Sequence, residues 1–242
     1  MVATIEESPA PARRVLRVLA ASCLLFVVVA LGLLATWRWW VPEYRPALRA
    51  GETYGLDVSH HQREVDWSAV RNDNIAFVYL KASEGGDHRD RLFNANRKGA
   101  TAAGLRVGAY HFFTFCRPGA DQAANFLAVV APDQKMLPPA VDLEYGGNCS
   151  SRPARDDLRR ELQSFLEIVE AAWGKPVLAY VLHDTEADYG TTDYLTGPRW
   201  QRKLFRRPKD SSWFLWQVHG HAHVRGVQGP VDLNVGSEDL AA

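Results

Sequence analysis

Short apolar runs that alternate with amphipathic stretches constrain the fold of this 242-residue chain more than any other feature. The clearest helix runs from Arg155 to Trp173, where apolar residues recur at helical spacing and Gly174 follows the end. Further helices are predicted over 92–103 and 121–130. Strands are predicted over 54–58, 75–81, 105–113, 140–144, 177–181, 213–218 and 231–234. Nearly continuous apolar strands that alternate with helices indicate parallel pairing buried on both faces, so we expect an α/β barrel.

A second feature is the apolar segment 18–37, which carries no charged residue. About 20 helical residues span roughly 30 Å, which is the thickness of a bilayer core. Three arginines precede the segment, so the positive-inside rule places the N-terminus in the cytoplasm. A cleaved signal peptide is the alternative, although no small-x-small site follows the run. The predicted organisation is a cytoplasmic N-terminus 1–17, a transmembrane anchor 18–37, a linker 38–50 and a folded domain 51–242.

Charge and cysteine content narrow the classes of function. The first 49 residues hold six Lys/Arg and three acids, which leaves 22 Lys/Arg against 25 Asp/Glu in the rest. A nucleic-acid-binding face needs clustered positive charge to neutralise phosphates, and this chain lacks such a run. No C-x-x-C or H-E-x-x-H spacing indicates a metal site. Cys116 and Cys149 both lie in the part predicted to be exported, where an oxidising compartment permits them to pair; two free thiols are the alternative.

Acidic residues stand at the carboxyl ends of several predicted strands. In parallel α/β folds the functional side chains collect at that end of the sheet. For any single acid a helix cap or a turn is an equally good interpretation, but the coincidence of several favours a common site. The acids are Asp57, Asp142, Glu144 and Asp232.

Asp142 and Glu144 are two residues apart on one strand, so their side chains point to the same side. Their backbone positions are separated by roughly 6.6 Å, at about 3.3 Å per residue. Two carboxyl groups in one partly buried site repel each other when both are ionised, so one should keep a proton near neutral pH. Such a pair can perform the acid/base chemistry of glycoside hydrolysis, but backbone spacing does not decide between retaining and inverting geometries.

Aromatic residues near the same strand ends strengthen the interpretation as a sugar site. A flat ring can lie against a sugar face while polar groups bind the hydroxyls. We expect Tyr110, Tyr180 and Trp216 to face the site, and Phe112 to pack in the core.

Several motifs, in order, resemble the glycoside hydrolase family 25 lysozymes, and the resemblance extends from about residue 54 to 235. The matching segments are GLDVSHHQ at 55–62, DW at 66–67, FVYLKASEG at 77–85, GAYHF at 108–112, VDLE at 141–144, WQ at 216–217 and GPVDLN at 229–234. The resemblance implies an irregular flattened (β/α) barrel of eight strands and about five helices. It also implies hydrolysis of the β-1,4 bond between N-acetylmuramic acid and N-acetylglucosamine, without a metal or an organic cofactor.

By the same resemblance Glu144 is the general acid, and Asp142 assists the 2-acetamido group of the substrate, whose carbonyl acts as an internal nucleophile. Asp57 and Asp232 complete an acidic floor. Substrate-binding residues are expected to be Tyr110, Lys81, Glu84, Tyr180, Trp216, Gln217, His111 and Asn234. If the strands before Cys116 and Cys149 are neighbours, a disulfide between these residues ties two loops beside the acids.

The chain also departs from the family pattern. Val181 follows Tyr180 where many relatives have a Tyr-Thr pair, and the segment 198–208 carries Arg and Lys where relatives often have an apolar strand. The expected partners are peptidoglycan glycan strands and, through the N-terminal helix, the bacterial cytoplasmic membrane, with a monomeric domain in the periplasm or cell-wall space. A glycan-binding module without activity is the alternative to an enzyme.

Overall fold

The computed structural model describes residues 11–146, 149–209, 213–237 and 240, so the first ten residues of the predicted cytoplasmic segment lie outside it. The chain divides into two compact units, Met1–Tyr44 and Arg45–Ala242. In the first unit, helix α1 (Pro11–Ala35) continues into a π-helical turn at Thr36–Trp40. The helical stretch Arg14–Trp40 is long and apolar enough to cross a membrane, a property that signal sequences share.

The second unit is an α/β domain, in which strands and helices alternate until the last third of the chain. Its strands are β1 (Thr53–Val58), β2 (Ile75–Glu84), β3 (His88–Arg89), β4 (Arg106–Phe112), β5 (Ala140–Leu143), β6 (Leu178–Val181), β7 (Arg199–Arg202), β8 (Trp213–Ala222) and β9 (Val231–Gly236). Its α-helices are α2 (Trp67–Asn72), α3 (Phe93–Ala102), α4 (Gly119–Val129), α5 (Arg155–Trp173) and α6 (His183–Tyr189).

The strands close into a barrel. Their order is β1-β9-β8-β7-β6-β5-β4-β2, and β2 pairs again with β1, while the short β3 adds to the edge of β2. Most neighbours are parallel, but β9 runs antiparallel to both β8 and β1. The predicted barrel of eight strands is therefore confirmed, and five α-helices accompany it among the described residues of the second unit.

Large side chains fill the lower part of the barrel. Phe77 and Tyr79 of β2 pack with Leu178, Trp200 and Leu215 from β6, β7 and β8. The strands beside β2 make room for its rings with glycine: a Cβ on Gly55 would lie 2.2 Å from the Phe77 ring, and one on Gly108 would lie 2.4 Å from the Tyr79 ring. We call these five residues the aromatic plug. They fill the barrel below the carboxyl ends of its parallel strands, so only the end at which those strands finish can hold a ligand.

Two strands escaped prediction from sequence. β3 has only two residues, and β7 carries arginine at both ends, so neither shows the apolar run that marks a buried strand. The backbone of β7 nevertheless pairs in parallel with β6 and β8. The helices α2 and α6 also escaped prediction because they have only six and seven residues, too few to display helical periodicity.

A disulfide joins Cys116 and Cys149, whose Cα atoms are 5.8 Å apart. Cys116 follows β4, Cys149 follows β5, and these two strands are neighbours in the barrel, as the expected pairing requires. The bond ties together two loops at the carboxyl end of the barrel. Cys23, in α1, is a free cysteine.

Alkylation without a reductant should label Cys23 and leave Cys116 and Cys149 blocked, because the last two are joined. Intact mass should therefore show one added group, and three added groups would contradict the bond.

Replacing both bonded residues by serine should lower the free energy of unfolding by about 2–4 kcal/mol, since the unfolded chain regains the freedom of the closed loop. Urea denaturation of the two proteins measures this difference.

Candidate active site

A cleft of about 440 Å³ opens at the carboxyl ends of the barrel strands. Its floor lies on the aromatic plug, because side chains two residues apart on a strand share a face. On β2, β5 and β6 the core residues Tyr79, Ala140 and Leu178 lie below the cleft. The residues two positions later, Lys81, Asp142 and Tyr180, lie above them and line the cleft. Nine of the residues expected at the site line this cleft: Asp57, Asp142, Glu144, Asp232, Lys81, Glu84, Tyr110, Tyr180 and Gln217.

The four acids come from three strands. Asp57 of β1 and Asp232 of β9 are direct partners across an antiparallel pair. Asp142 lies near the end of β5, and Glu144 follows the strand by one residue. All four side chains are partly enclosed rather than fully exposed. The antiparallel course of β9 brings the start of that strand, and hence Asp232, to the rim where the parallel strands end.

Neutral donors hold Asp57 in place. The Asn234 amide donates a hydrogen bond of 2.7 Å to Asp57 Oδ2, and the Gln217 amide approaches the same oxygen at 3.4 Å. Each donor is itself oriented: Trp200 Nε1 donates to Asn234 Oδ1 at 2.8 Å, and the Tyr180 hydroxyl donates to Gln217 Oε1 at 2.9 Å. Since the indole N–H can only donate, the Asn234 amide must point its NH₂ group toward Asp57.

Strand β2, which pairs with β1 beside Asp57, carries an ion pair. Lys81 Nζ lies 2.7 Å from Glu84 Oε2 and 4.6 Å from the centre of the Phe112 ring. Phe112 was expected in the core, and it lines the cleft while only 8% of it is exposed. Its ring supports the ammonium group, a favourable cation–π arrangement. The expectation that Phe112 packs in the core is therefore confirmed by its burial, and the ring also borders the cleft.

Three expected binding residues do not line the cleft. Trp216 precedes Gln217 on β8, so its side chain points away from the barrel interior. On the outer side its Nε1 donates a hydrogen bond of 2.7 Å to the Lys203 carbonyl. His111 follows Tyr110 and is buried between Ser83 and Gln122, at 2.8 and 3.1 Å. Asn234 lies beneath Asp57 and reaches the site only through that carboxylate.

A family model described as glycosyl hydrolases family 25 matches residues 56–227. The chain belongs to this family. It is 32% identical over 210 residues to the uncharacterized protein YegX of Escherichia coli K12, covering 79% of this chain and 75% of YegX. It is 30% identical over 205 residues to lysozyme M1 of Streptomyces globisporus, covering 74% of this chain and 66% of that enzyme.

Solved structures agree with this assignment. The structure of a family 25 glycosyl hydrolase from Bacillus anthracis matches with a TM-score of 0.73 at 30% identity, covering 80% of this chain and 93% of that one. A bacterial lysozyme from Streptomyces coelicolor matches with a TM-score of 0.68 at 28% identity, covering 75% and 90%. The protein is therefore a glycoside hydrolase of the lysozyme type, and peptidoglycan is the substrate class of its family.

The cleft of this family 25 enzyme favours protonated carboxyl groups. Burial, reinforced by the neighbouring carboxylates, raises the pKa of Asp57 and of Asp142 well above the ordinary value. Burial also raises the pKa of Glu144, against the opposing effect of Arg202, and raises the pKa of Asp232 to about 6. Carboxyl groups this close cannot all ionise, so the cluster retains protons at a pH where isolated acids are charged.

Several residues of the cleft were not predicted as site residues: Ser59, His61, Gln62, Trp200 and Arg202. The first three belong to the GLDVSHHQ motif, in which Ser59 and Gln62 form a capping box around a 3-10 turn. The motif was the available signal for these residues. Trp200 and Arg202 lie on β7, the strand without an apolar run, so the sequence offered no indication of where they point.

The raised pKa of Asp232 has a consequence for stability. A carboxyl whose pKa is raised on folding stabilises the protein fully below its unfolded value of 3.8, and the contribution is lost as the pH rises through about 6. The lowered pKa of His111, about 4, acts in the opposite direction over the same interval, but it is common to the unchanged protein and to Asp232→Asn. The free energy of unfolding of Asp232→Asn minus that of the unchanged protein should therefore increase between pH 4 and pH 7, because asparagine does not ionise. Urea denaturation of both proteins at both pH values measures this difference, and a constant difference would contradict the raised pKa of Asp232.

Proposed function

We propose that this enzyme is a muramidase that cleaves the β-1,4 bond between N-acetylmuramic acid and N-acetylglucosamine, with Glu144 as general acid and Asp142 as the residue that assists the substrate's acetamido group. The observation that supports it most is the cluster of buried carboxyl groups in the cleft, because their mutual repulsion favours a proton on one member while a neighbour stays ionised. The membership in family 25 and the likeness to lysozyme M1 support the choice of substrate.

Glu144 is suited to donate the proton. It follows β5 at the rim of the cleft, and burial raises its pKa, so its carboxyl group keeps a proton to a higher pH than an isolated glutamate does. The proton passes to the glycosidic oxygen as the bond to the muramyl C1 breaks, which lets the remaining sugar leave as an alcohol. Arg202 lowers the pKa of Glu144, so it adjusts the pH range in which the acid works.

Asp142 is suited to hold the acetamido group. Asp142 lines the cleft, and its buried Oδ1 accepts no hydrogen bond within the part of the chain that the structure describes, so we infer that a substrate N–H supplies the missing donor. Held in this way, the acetamido carbonyl oxygen attacks C1 and forms a cyclic intermediate that carries the positive charge. Water then attacks C1, Glu144 accepts its proton, and the acetamido group is restored. The enzyme needs no second carboxylate at C1 by this route.

The remaining acids and rings shape the site around these two residues. Asp57, fixed by Asn234, and Asp232 form the acidic floor beside the reacting sugar. Tyr110 and Tyr180 offer ring surface and hydroxyl groups to the glycan, and the Lys81–Glu84 pair borders the cleft from β2, the strand next to Asp57.

We also propose that the helix at 18–37 anchors the enzyme in the bacterial cytoplasmic membrane, with the barrel outside. The support is the apolar stretch Arg14–Trp40 and the arginines before it. A disulfide in the second unit fits an oxidising compartment. Fractionation of cells that express the full chain distinguishes an anchor from a cleaved signal sequence, because only the anchored form sediments with membranes at full mass.

Glu144→Gln should reduce the cleavage of purified peptidoglycan by at least about 10²-fold, because glutamine cannot donate the proton. Binding to peptidoglycan should persist, since the shape of the side chain is kept. Glu167→Gln, an exposed position on α5, is the matched control and should retain full activity. The rate at which soluble fragments are released from peptidoglycan measures the activity of the unchanged enzyme, Glu144→Gln and Glu167→Gln. Unchanged turnover by the first variant would refute the role of Glu144.

The reducing ends of the products identify the bond that is cut. A muramidase leaves N-acetylmuramic acid at each new reducing end, because the acetamido group that assists belongs to that sugar. Borohydride reduction of the digest followed by sugar analysis should therefore yield muramitol. Glucosaminitol would show a glucosaminidase instead, and an undigested wall would leave only a glycan-binding module.

A further inference from the structure

A second groove, of about 800 Å³, lies beside the catalytic cleft. We call it the β7 groove. It passes along β6 and β7 and is bordered by α6. It stays open because residues 203–209, the described part of the link from β7 to β8, contain no helix to cover β7. Its size is within the range of sites that enclose a ligand of several chemical groups.

The β7 groove and the cleft share a wall. Trp200 and Arg202 line both spaces. A molecule that lies in the cleft can therefore extend a branch past Arg202 into the groove without leaving the protein surface. Because the two sites share Trp200 and Arg202, their ligands are expected to be parts of the same molecule.

The groove is positively charged. Arg199, Arg202 and Lys203 line it, against a single acid, Glu186. Two of these charges already have partners: Arg199 donates to the Leu195 carbonyl at 2.5 Å, and Glu186 accepts from the Thr192 amide at 3.1 Å.

The other two cations are available. Arg202 and Lys203 are exposed, and neither side chain has a hydrogen bond or an ion pair with any residue among 11–146, 149–209, 213–237 and 240. The charge of Arg202 also acts on Glu144 and Asp232 in the cleft, so Lys203 is the cation that has no partner among the described residues, and Arg202 adds positive charge beside it. Such a pair favours an anionic ligand, and the flexible side chains can adapt to a carboxylate.

We propose that the β7 groove binds the free carboxylates of the peptide branches that peptidoglycan carries on its muramyl residues. The inference rests on the proposed function, because it takes the glycan to lie in the cleft. The branch leaves the muramyl ring sideways, which suits a groove that opens from the side of the cleft at Arg202. Lys203 and Arg202 thus select strands that still bear their peptides.

A phosphate-rich wall polymer is the competing ligand. Such a polyanion is expected to need an extended basic track, whereas this site offers two exposed cations, Arg202 and Lys203, in a domain with 22 Lys/Arg and 25 Asp/Glu after residue 49. The restricted charge fits a short branch with few carboxylates better than it fits a long chain of phosphates.

Equilibrium binding can test the groove without turnover. Soluble peptidoglycan chains, freed of phosphate polymers, are prepared in two forms: with free carboxylates, and with the carboxylates amidated by carbodiimide and ammonia. Both are titrated into Glu144→Gln and into the same variant that also carries Lys203→Glu. Lys98→Glu, at an exposed position on α3, replaces Lys203→Glu in the control.

The groove predicts a specific pattern of dissociation constants. Lys203→Glu should weaken the binding of carboxylate chains by about fivefold or more, because it removes one exposed ion pair and adds repulsion. With amidated chains its effect should shrink to less than about twofold, and Lys98→Glu should change neither constant. Equal effects of Lys203→Glu on both forms would overturn the proposal. Displacement of carboxylate chains by poly(glycerol phosphate) at lower concentration than by free branch peptides would overturn it in favour of the phosphate polymer.

Turnover by the unchanged enzyme separates the two proposals. If it hydrolyses both substrate forms but the binding pattern is flat, the groove is wrong and the muramidase stands. If it hydrolyses neither form while the binding pattern holds, the muramidase is wrong and the groove remains a binding site for peptide carboxylates.

Discussion

The pairing of β9 with β1 is the contact on which the catalytic end of the barrel depends. It closes the ring of strands and, because β9 is antiparallel, it places Asp232 opposite Asp57. The same strand supplies Asn234, whose amide holds the Asp57 carboxylate from below. The acidic floor is therefore assembled by two segments at opposite ends of the domain, and neither segment forms a site alone.

Enclosure, rather than the number of acids, sets the chemistry of the cleft. The aromatic plug beneath the site removes water from one side of the carboxyl groups, and burial is the largest cause of every raised pKa among them. The positive charge of Arg202 is the main effect that lowers the pKa of Glu144 and of Asp232. Arg202 lies on β7, a strand that lacks the apolar pattern of its neighbours. Arg202 of β7 thus acts on the pKa of Glu144 and, in the proposed β7 groove, on the carboxylates of the substrate.

Much of this arrangement could be predicted from sequence, for a physical reason. The residues at strand ends follow apolar runs directly, so Asp57, Asp142 and Glu144 could be placed on one rim without knowledge of the barrel. The direction of adjacent side chains could not be predicted. Strands buried on both faces are apolar on both, so nothing in the sequence distinguished Gln217 from Trp216 as the inward residue. Strand β7 could not be predicted because it has no continuous apolar run. Its place in the barrel depends on backbone hydrogen bonds to β6 and β8.

The order of the strands along the chain also bears on when the protein can act. Synthesis proceeds from the N-terminus, so β1 exists long before β9, and the ring of strands stays open until Val231–Gly236 emerges. Up to that moment the nascent domain lacks both Asp232 and the amide that orients Asp57. The acidic floor therefore cannot assemble on a partly synthesised domain, because its last acid and the amide that orients its first acid are among the final residues of the barrel to be made.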